Sequence, residues 1–237
     1  MRLLLFAITL SALGAASYWV LTGGPLAPPP AEMVSADSLR AAAASLTPHG
    51  EEPVPSVPAR PAAPARPAVE VQLTNASYAV TGTTAREVLY SLLESGPREG
   101  GEVFFGLTET ELDVRYDPNE IAGGCMIEDT EVDLRVVVTL PEWLPVTDVD
   151  PDLHRDWARF RRALAAHENR HRAIALGGAE AAYRAVAGLY RPSCEEAITE
   201  ARRRLERLGV EVSAAHRRYD TETEHGRSEG ASWPVRR

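Results

Sequence analysis

The chain has 237 residues, 44% of them hydrophobic, which is enough for one sizeable core or two small ones. Its formal net charge is −9 at pH 7, and all 25 basic residues are arginines interspersed with acidic ones. The sequence therefore lacks the lysine-rich basic patch that is typical of nucleic-acid-binding proteins, and we expect no nucleic-acid partner.

Residues 1–24 predict export across a membrane. Arg2 precedes an uncharged run over residues 3–21, and small residues follow its most apolar part, as before a signal-peptide cleavage site. The run is also nearly long enough to span a bilayer as a helix, so a cleaved signal peptide and a retained membrane anchor both stay open. Either predicts that the rest of the chain is extracytoplasmic, in the periplasm or at the cell surface.

Residues 25–68 predict an extended linker. Eleven prolines occur between Pro25 and Pro67. Because proline fixes its own φ, restricts the preceding residue and lacks an N–H donor, such a segment cannot build a packed core. In polyproline II geometry it could reach roughly 100 Å, which suits a domain that works at a distance from its membrane tether.

Residues 69–237 predict one folded domain that begins with strands. Residues 69–80 alternate as a strand with a slip near Asn75. Further strands are predicted within residues 102–116 and 125–140, and the second of these alternates strictly between apolar and polar side chains. We expect these strands to form a small antiparallel sheet.

Helices complete this domain. A short helix is predicted after the first strand, with Thr84 and Glu87 as its capping box and Gly96 at its end. Two long helices are predicted after the sheet, one over residues 151–189 and one over about 193–218. Strands followed by helices indicate the α+β class.

Cys125 and Cys194 are the two cysteines of the chain. An exported chain with an even cysteine count is expected to form a disulfide, which here would close a long loop and stabilise the fold by roughly 4 kcal/mol. The alternatives are two free buried thiols or metal ligation.

The segment HENRH at residues 167–171 lies on the apolar stripe of the first long helix. The stripe comprises Trp157, Phe160, Leu164, His167, His171 and Ile174. Because His167 and His171 are four residues apart, their imidazoles lie on one face, about 6 Å apart along the axis, and can converge on one ion. Neutral imidazole binds Zn²⁺ well, and Glu168 beside the ion could take a proton from an activated water. The alternative is two core histidines that donate to backbone carbonyls.

The spacing of the remaining residues does not determine a third ligand. A catalytic zinc keeps three protein ligands and a water. Glu180 lies on the opposite side of the helix from the motif. The remaining candidates are Glu195, Glu196, His216, Asp220 and His225.

Five segments in order resemble a bacterial family of domains of unknown function that is described as predicted secreted zinc-dependent proteases. They are YAVTGTTAREVLYSLLESGP, VVVTLPEW, HENRHRAIA, SCEEA and YDTETEHGRSEGA, and the resemblance covers about residues 69–231. It implies a zincin-like fold in which His167, His171 and His225 bind zinc, with Asp220 as the reserve ligand. It also implies that Glu168 is the general base.

The sequence and this resemblance together predict an exported zinc-dependent peptidase that acts on a protein or peptide substrate in the cell envelope. Tyr219 is a candidate to stabilise the oxyanion. Arg170 and Glu229 stand where many members have glycine and glutamine. One alternative is a non-catalytic tethered envelope domain whose metal is structural or absent. The other is an amidase that acts on cell-wall crosslinks.

Overall fold

The structure is a computed structural model that describes residues 4–11, 68–145 and 149–235. The predicted linker lies outside these residues up to residue 67, as does most of the predicted export signal. Residues 4–11 form strand β1 (Leu4–Ser11). Among the described residues there is no helix of the length and apolarity that crossing a membrane requires. The signal peptide or anchor stays a prediction.

A twisted sheet of long strands forms one layer of the fold. The strands are β2 (Val69–Val80), β5 (Leu107–Ile121) and β6 (Gly124–Trp143), with the short β7 (Tyr190–Arg191). The order is β1-β5-β6-β2, with β7 paired to β6. Two short strands, β3 (Arg98–Glu99) and β4 (Glu102–Val103), form a separate antiparallel pair.

The expectation of a purely antiparallel sheet is wrong, because β2 pairs with β6 in parallel. Parallel pairing needs a long crossover connection, and the chain between β2 and β6 contains a helix and β5. The predicted slip near Asn75 is also wrong, since β2 keeps one register with β6 along its whole length. The irregularity lies instead in β5, between Arg115 and Asp117.

Within the described ranges, three α-helices and one short 3₁₀ helix accompany the sheet, which confirms the α+β class. They are α1 (Ala85–Ser95), α2 (Pro151–Val186), α3 (Cys194–Thr223) and the 3₁₀ helix Arg227–Glu229. The predicted capping box of α1 is confirmed: the Thr84 side chain accepts from the Glu87 backbone, and the Glu87 side chain accepts from the Thr84 backbone. Helix α3 continues five residues beyond its predicted end at Arg218.

The core lies between the sheet and α2, which packs on β6 and β5, while α3 packs on α2. The alternating apolar residues of β6 all face this core: Val132, Leu134, Val136, Val138 and Leu140. The predicted disulfide between Cys125 and Cys194 is present and joins the start of β6 to the start of α3. These contacts fix α2 and α3 side by side, and the candidate site lies between them.

Candidate metal centre

Helix α2 buries all three functional side chains of the HENRH segment. The exposed fraction is 3% for His167, 2% for Glu168 and 0% for His171. All three continue the face on which Phe160 and Leu164 pack into the core. Buried polar groups need hydrogen-bonding or ionic partners, and α3 supplies part of them.

Asp220 of α3 completes a group of three potential ligand atoms. Its Oδ1 lies 2.9 Å from Nε2 of His171 and 3.3 Å from Nε2 of His167. The two Nε2 atoms are 3.2 Å apart. Among the described residues, these three form the one group of histidine, cysteine or acidic side chains suited to hold a metal ion.

The geometry of this group fits a zinc ion. Three lone pairs that point at one another repel unless a proton or a cation lies between them. Ligand atoms placed tetrahedrally about 2.0–2.1 Å from zinc are roughly 3.3 Å apart, close to the spacing of the three atoms here. In addition, Oδ2 of Asp220 is buried and has no hydrogen-bond partner. The donor set of two imidazoles and one carboxylate is one that zinc accepts.

The directions in which two pKa values of the group are shifted indicate that it favours positive charge. Burial alone would lower the pKa of His167, but hydrogen bonds to Asp220 and Glu229 raise it above its usual value. Burial would raise the pKa of Asp220, yet the bonds from His167 and His171 lower it. Both shifts favour a positive charge between the imidazoles and the carboxylate, the position that a metal ion would take.

The structure brings Asp220, the reserve ligand, into the group, and not His225. The His225 side chain is 49% exposed, and its Nδ1 lies 3.8 Å from Oδ1 of Asp220. Its ring contacts Phe104, with 5.8 Å between centroids. His225 as a zinc ligand stays a prediction. The acidic candidates Glu195 and Glu196 lie in the first turn of α3, on exposed positions at the other end of that helix.

In both His167 and His171, Nδ1 has a partner of its own outside the ligand group, and Nε2 faces that group. Nδ1 of His167 lies 3.2 Å from Oε2 of Glu229. The hydroxyl of Tyr219 donates to the same oxygen at 2.8 Å, and its ring stacks on His167. Partners of this kind fix the tautomer and orientation of a metal-binding histidine. The Tyr219 hydroxyl thus donates to Glu229 in this structure. Its proposed role at the oxyanion stays a prediction.

The partner of His171 is a third imidazole. Nδ1 of His171 lies 2.9 Å from Nδ1 of the buried His216, one turn before Asp220 on α3. Burial, together with the nearby His171, lowers the pKa of His216 to about 4. His216 is therefore neutral near pH 7. In the tautomer of His171 that leaves Nε2 free for a metal, Nδ1 of His171 carries the proton and Nδ1 of His216 is its acceptor.

Glu168 lies beside the ligand group and is held by β5. The Thr108 hydroxyl donates to Oε2 of Glu168 at 2.7 Å. Burial raises the pKa of Glu168, although the Thr108 bond opposes this shift. The other oxygen, Oε1, lies over Gly106, where a Cβ atom would come within 2.6 Å of it. The absence of a side chain at residue 106 thus lets the carboxylate occupy this position.

A cleft of about 600 Å³ opens onto His167 and Glu168. Two segments line most of it, residues 103–106 before β5 and residues 231–234 near the C-terminus, together with Leu164 of α2. Glu224, His225 and Arg227 contribute charged or titratable groups. A cleft of this size can enclose several groups of a ligand directly beside the candidate metal ligands.

Residues 75–226 match the family model described as "Bacterial protein of unknown function (DUF922)". The chain belongs to this family. The DUF922 region runs from within β2 to the glycine after His225, so it contains Glu168 and all three residues of the potential ligand group. Searches of curated proteins and of solved structures gave no match.

Sequence reasoning missed two residues of this DUF922 region that contact Glu168, which are Gly106 and Thr108. It also missed the contact between His216 and Nδ1 of His171. Thr108 carried a usable signal, because it occupies an inward position of a strand whose other inward residues are largely apolar. Gly106 carried none, since a glycine before a strand is compatible with many turns. His216 was considered as a ligand, whereas the structure places it behind His171.

Proposed function

We propose that the protein is a zinc-dependent peptidase of the zincin-like type. The observation that carries this proposal is the convergence of His167, His171 and Asp220 beside a buried carboxylate, Glu168, at the wall of an open cleft. The HENRH motif and the family resemblance support the same conclusion. The disulfide agrees with an extracytoplasmic location, where thiols are oxidised.

His167, His171 and Asp220 would hold the metal ion. Three protein ligands leave a coordination position for water, the arrangement of catalytic zinc sites. A bound zinc would supply a Lewis acid for the substrate carbonyl and a water of lowered pKa. Glu229 and His216 orient the two imidazoles towards it.

Glu168 performs the proton transfers of amide hydrolysis. Its carboxylate accepts a proton as the water oxygen bonds to the amide carbon. The C–N bond then breaks, and Glu168 returns the proton to the leaving nitrogen, which departs as a neutral amine. Thr108 holds Oε2, so Oε1 is the oxygen available for transfer. Burial, by raising the pKa of this carboxyl, strengthens it as a base.

The non-catalytic alternative rests on His225. Its Nδ1, 3.8 Å from Asp220, is near enough for a side-chain rotation to bring it to the ion as a fourth ligand. Four protein ligands would make a closed structural site without a position for water. The protein would then bind zinc and hydrolyse nothing.

Metal content and hydrolysis measured on the same samples distinguish the two functions. Wild type should contain about one zinc per chain and cleave members of a broad peptide library. Glu168→Gln should keep the zinc and lose at least about 100-fold in kcat, because the general base is gone. The matched control is Glu180→Gln, the same change on an exposed residue of α2, which should keep both. Zinc without hydrolysis by wild type would favour the structural site. Metal-free protein purified without chelators would refute both zinc sites and favour a non-catalytic domain without a metal.

A further inference from the structure

The cleft beside Glu168 has an apolar wall. Its carbon-rich residues are Val103, Phe104, Phe105, Leu164, Trp233 and Pro234. The charged or titratable residues of the lining are His167 and Glu168 on α2 and Glu224, His225 and Arg227 after α3. A ligand in this cleft would therefore meet two chemically different surfaces.

Two polar atoms of the apolar wall are hydrogen-bonded within the protein. Nε1 of Trp233 donates to the carbonyl of Ala85 at 2.8 Å. The carbonyl of Phe105 accepts from the Tyr78 hydroxyl at 2.9 Å. Because these two atoms are engaged, the wall presents mainly the carbon of its side chains to the cleft. A polar ligand group placed there would lose its water and find no replacement, which is costly.

The wall is fixed by packing behind it. Trp233 and Phe105 both contact Phe160 of α2, with ring centroids 5.6 and 5.8 Å away. Trp233 also packs edge-on against Trp157. A ligand that binds a surface already held in place loses little affinity to reorganisation. Phe104 differs from these residues, since it is only half-buried and contacts the ring of His225.

We propose that this apolar wall is a specificity subsite that binds one bulky apolar side chain of the substrate, of leucine or phenylalanine size, close to the hydrolysed bond. This inference rests on the proposed peptidase function and adds to it the class of residue that the enzyme selects. The proximity to the reacting bond follows from the lining, because Leu164, His167 and Glu168 border the same cleft. The remaining volume accommodates the peptide backbone on either side.

Capped alanine–glycine decapeptides with a single phenylalanine, moved from one position to the next, test this subsite. Wild type should cleave them at one fixed distance from the phenylalanine, with kcat/KM about 10- to 200-fold above that for the all-alanine–glycine peptide. Phe104→Ala should reduce this preference, taken as the ratio of the two kcat/KM values, about tenfold or more. The matched control is Tyr90→Ala, which removes an exposed aromatic ring of α1 outside the cleft.

Equilibrium binding of the same peptides to Glu168→Gln protein separates the subsite from the reaction. Tighter binding of the phenylalanine peptide than of the alanine–glycine peptide supports the subsite if the difference is lost in the Glu168→Gln/Phe104→Ala double variant. This result supports the subsite even if wild type hydrolyses nothing. In that case only the proposed reaction fails. Equal cleavage of both peptides overturns the subsite and leaves the peptidase intact. Equal binding of the two peptides, together with no cleavage of either by wild type, overturns both the subsite and the peptidase function.

Discussion

Oδ1 of Asp220 lies 2.9 Å from Nε2 of His171, although 49 residues separate them in the chain. Helix α3 makes this contact by running back along α2, so that a residue near its end meets a residue in the middle of α2. Asp220 is 3% exposed, whereas the His225 side chain, five residues later, is 49% exposed. This difference makes Asp220 the stronger candidate for the third ligand.

Substitution of the two candidates should separate their roles. Asp220→Asn removes the charge and a lone pair from the buried group, so we expect zinc affinity to fall at least about 100-fold. His225→Asn should keep about one zinc per chain with affinity within about tenfold of wild type. Competition with a chromophoric chelator measures both affinities. Zinc loss in His225→Asn with retention in Asp220→Asn would reverse the assignment.

Thr108→Val should move the pH profile of hydrolysis. The Thr108 hydroxyl stabilises the Glu168 carboxylate and so lowers its pKa; without that bond, burial raises the pKa further. Catalysis needs the ionised carboxylate of Glu168. On acidification, the variant should therefore lose activity at a higher pH than wild type does. The measurement is the acid limb of kcat/KM against pH. Thr110→Val, at the next inward position of β5, is the control, and an equal shift there would show that Thr108 has no specific role.

Gly106→Ala should damage catalysis more than stability. The new Cβ would lie 2.6 Å from Oε1 of Glu168, so the carboxylate has to move. A displacement of about 1 Å in a catalytic group reduces kcat on the order of 100-fold. The same Cβ would lie 3.0 Å from Cδ1 of the buried Leu164, so we expect a smaller loss of stability as well. Zinc content and thermal unfolding are measured alongside kcat, and zinc content should change little.

Gly177→Ala is the matched control for this glycine. A Cβ at residue 177 meets no atom within 4 Å, and the position is helical. Activity should therefore stay at the wild-type level while the free energy of unfolding rises by up to about 1 kcal/mol. Normal kcat in Gly106→Ala would show that Glu168 does not depend on this close approach.

His216→Ala should weaken zinc binding without removing a ligand. The variant leaves the Nδ1 proton of His171 without its acceptor, and loss of such an orienting partner reduces metal affinity about 10- to 100-fold. His216→Gln, whose amide oxygen can accept the same proton, should retain most of the affinity. If the alanine and glutamine variants bind zinc as tightly as wild type, the imidazole pair does not orient His171.

Removal of the disulfide should lower stability with little effect on the zinc site. Cys125 and Cys194 are 69 residues apart, and the chain-entropy relation for such a loop gives about 4 kcal/mol. Denaturant unfolding of wild type with and without reductant measures the difference. The Cys125→Ser/Cys194→Ser variant should unfold at one midpoint in both conditions. An unchanged midpoint of wild type in reductant would contradict the expected contribution.

The elements with strong local signals were predictable from sequence. The capping box of α1, the alternation in β6 and the stripe of α2 each depend on side chains a few residues apart. The parallel pairing of β2 was not predictable, because alternation reports which faces are buried and not the direction of the neighbouring strand. The wrong prediction of a slip near Asn75 has a related cause. Most β2 side chains are exposed, so the alternation of apolar and polar residues along β2 does not report which face of the strand is buried.

The third ligand was uncertain because the end of α3 was uncertain. The run YDTETEHG is polar, and the helix was predicted to end before it, at Arg218. In the structure α3 continues to Thr223, so His216, Asp220 and Thr223 share its buried face at helical spacing. Polar residues at the end of a helix look like a solvated tail when the groups they face are distant in sequence.

Helix α3 is held at its two ends by different chemistry. Cys194 at its first residue is covalently joined to β6, and Asp220, 26 residues later and about 39 Å along the axis, meets the two imidazoles of α2. A metal bound there would act as a second crosslink, whose binding energy adds to that of folding. Oxidation and metal supply, two separate properties of the compartment, would thus each secure one end of the same helix.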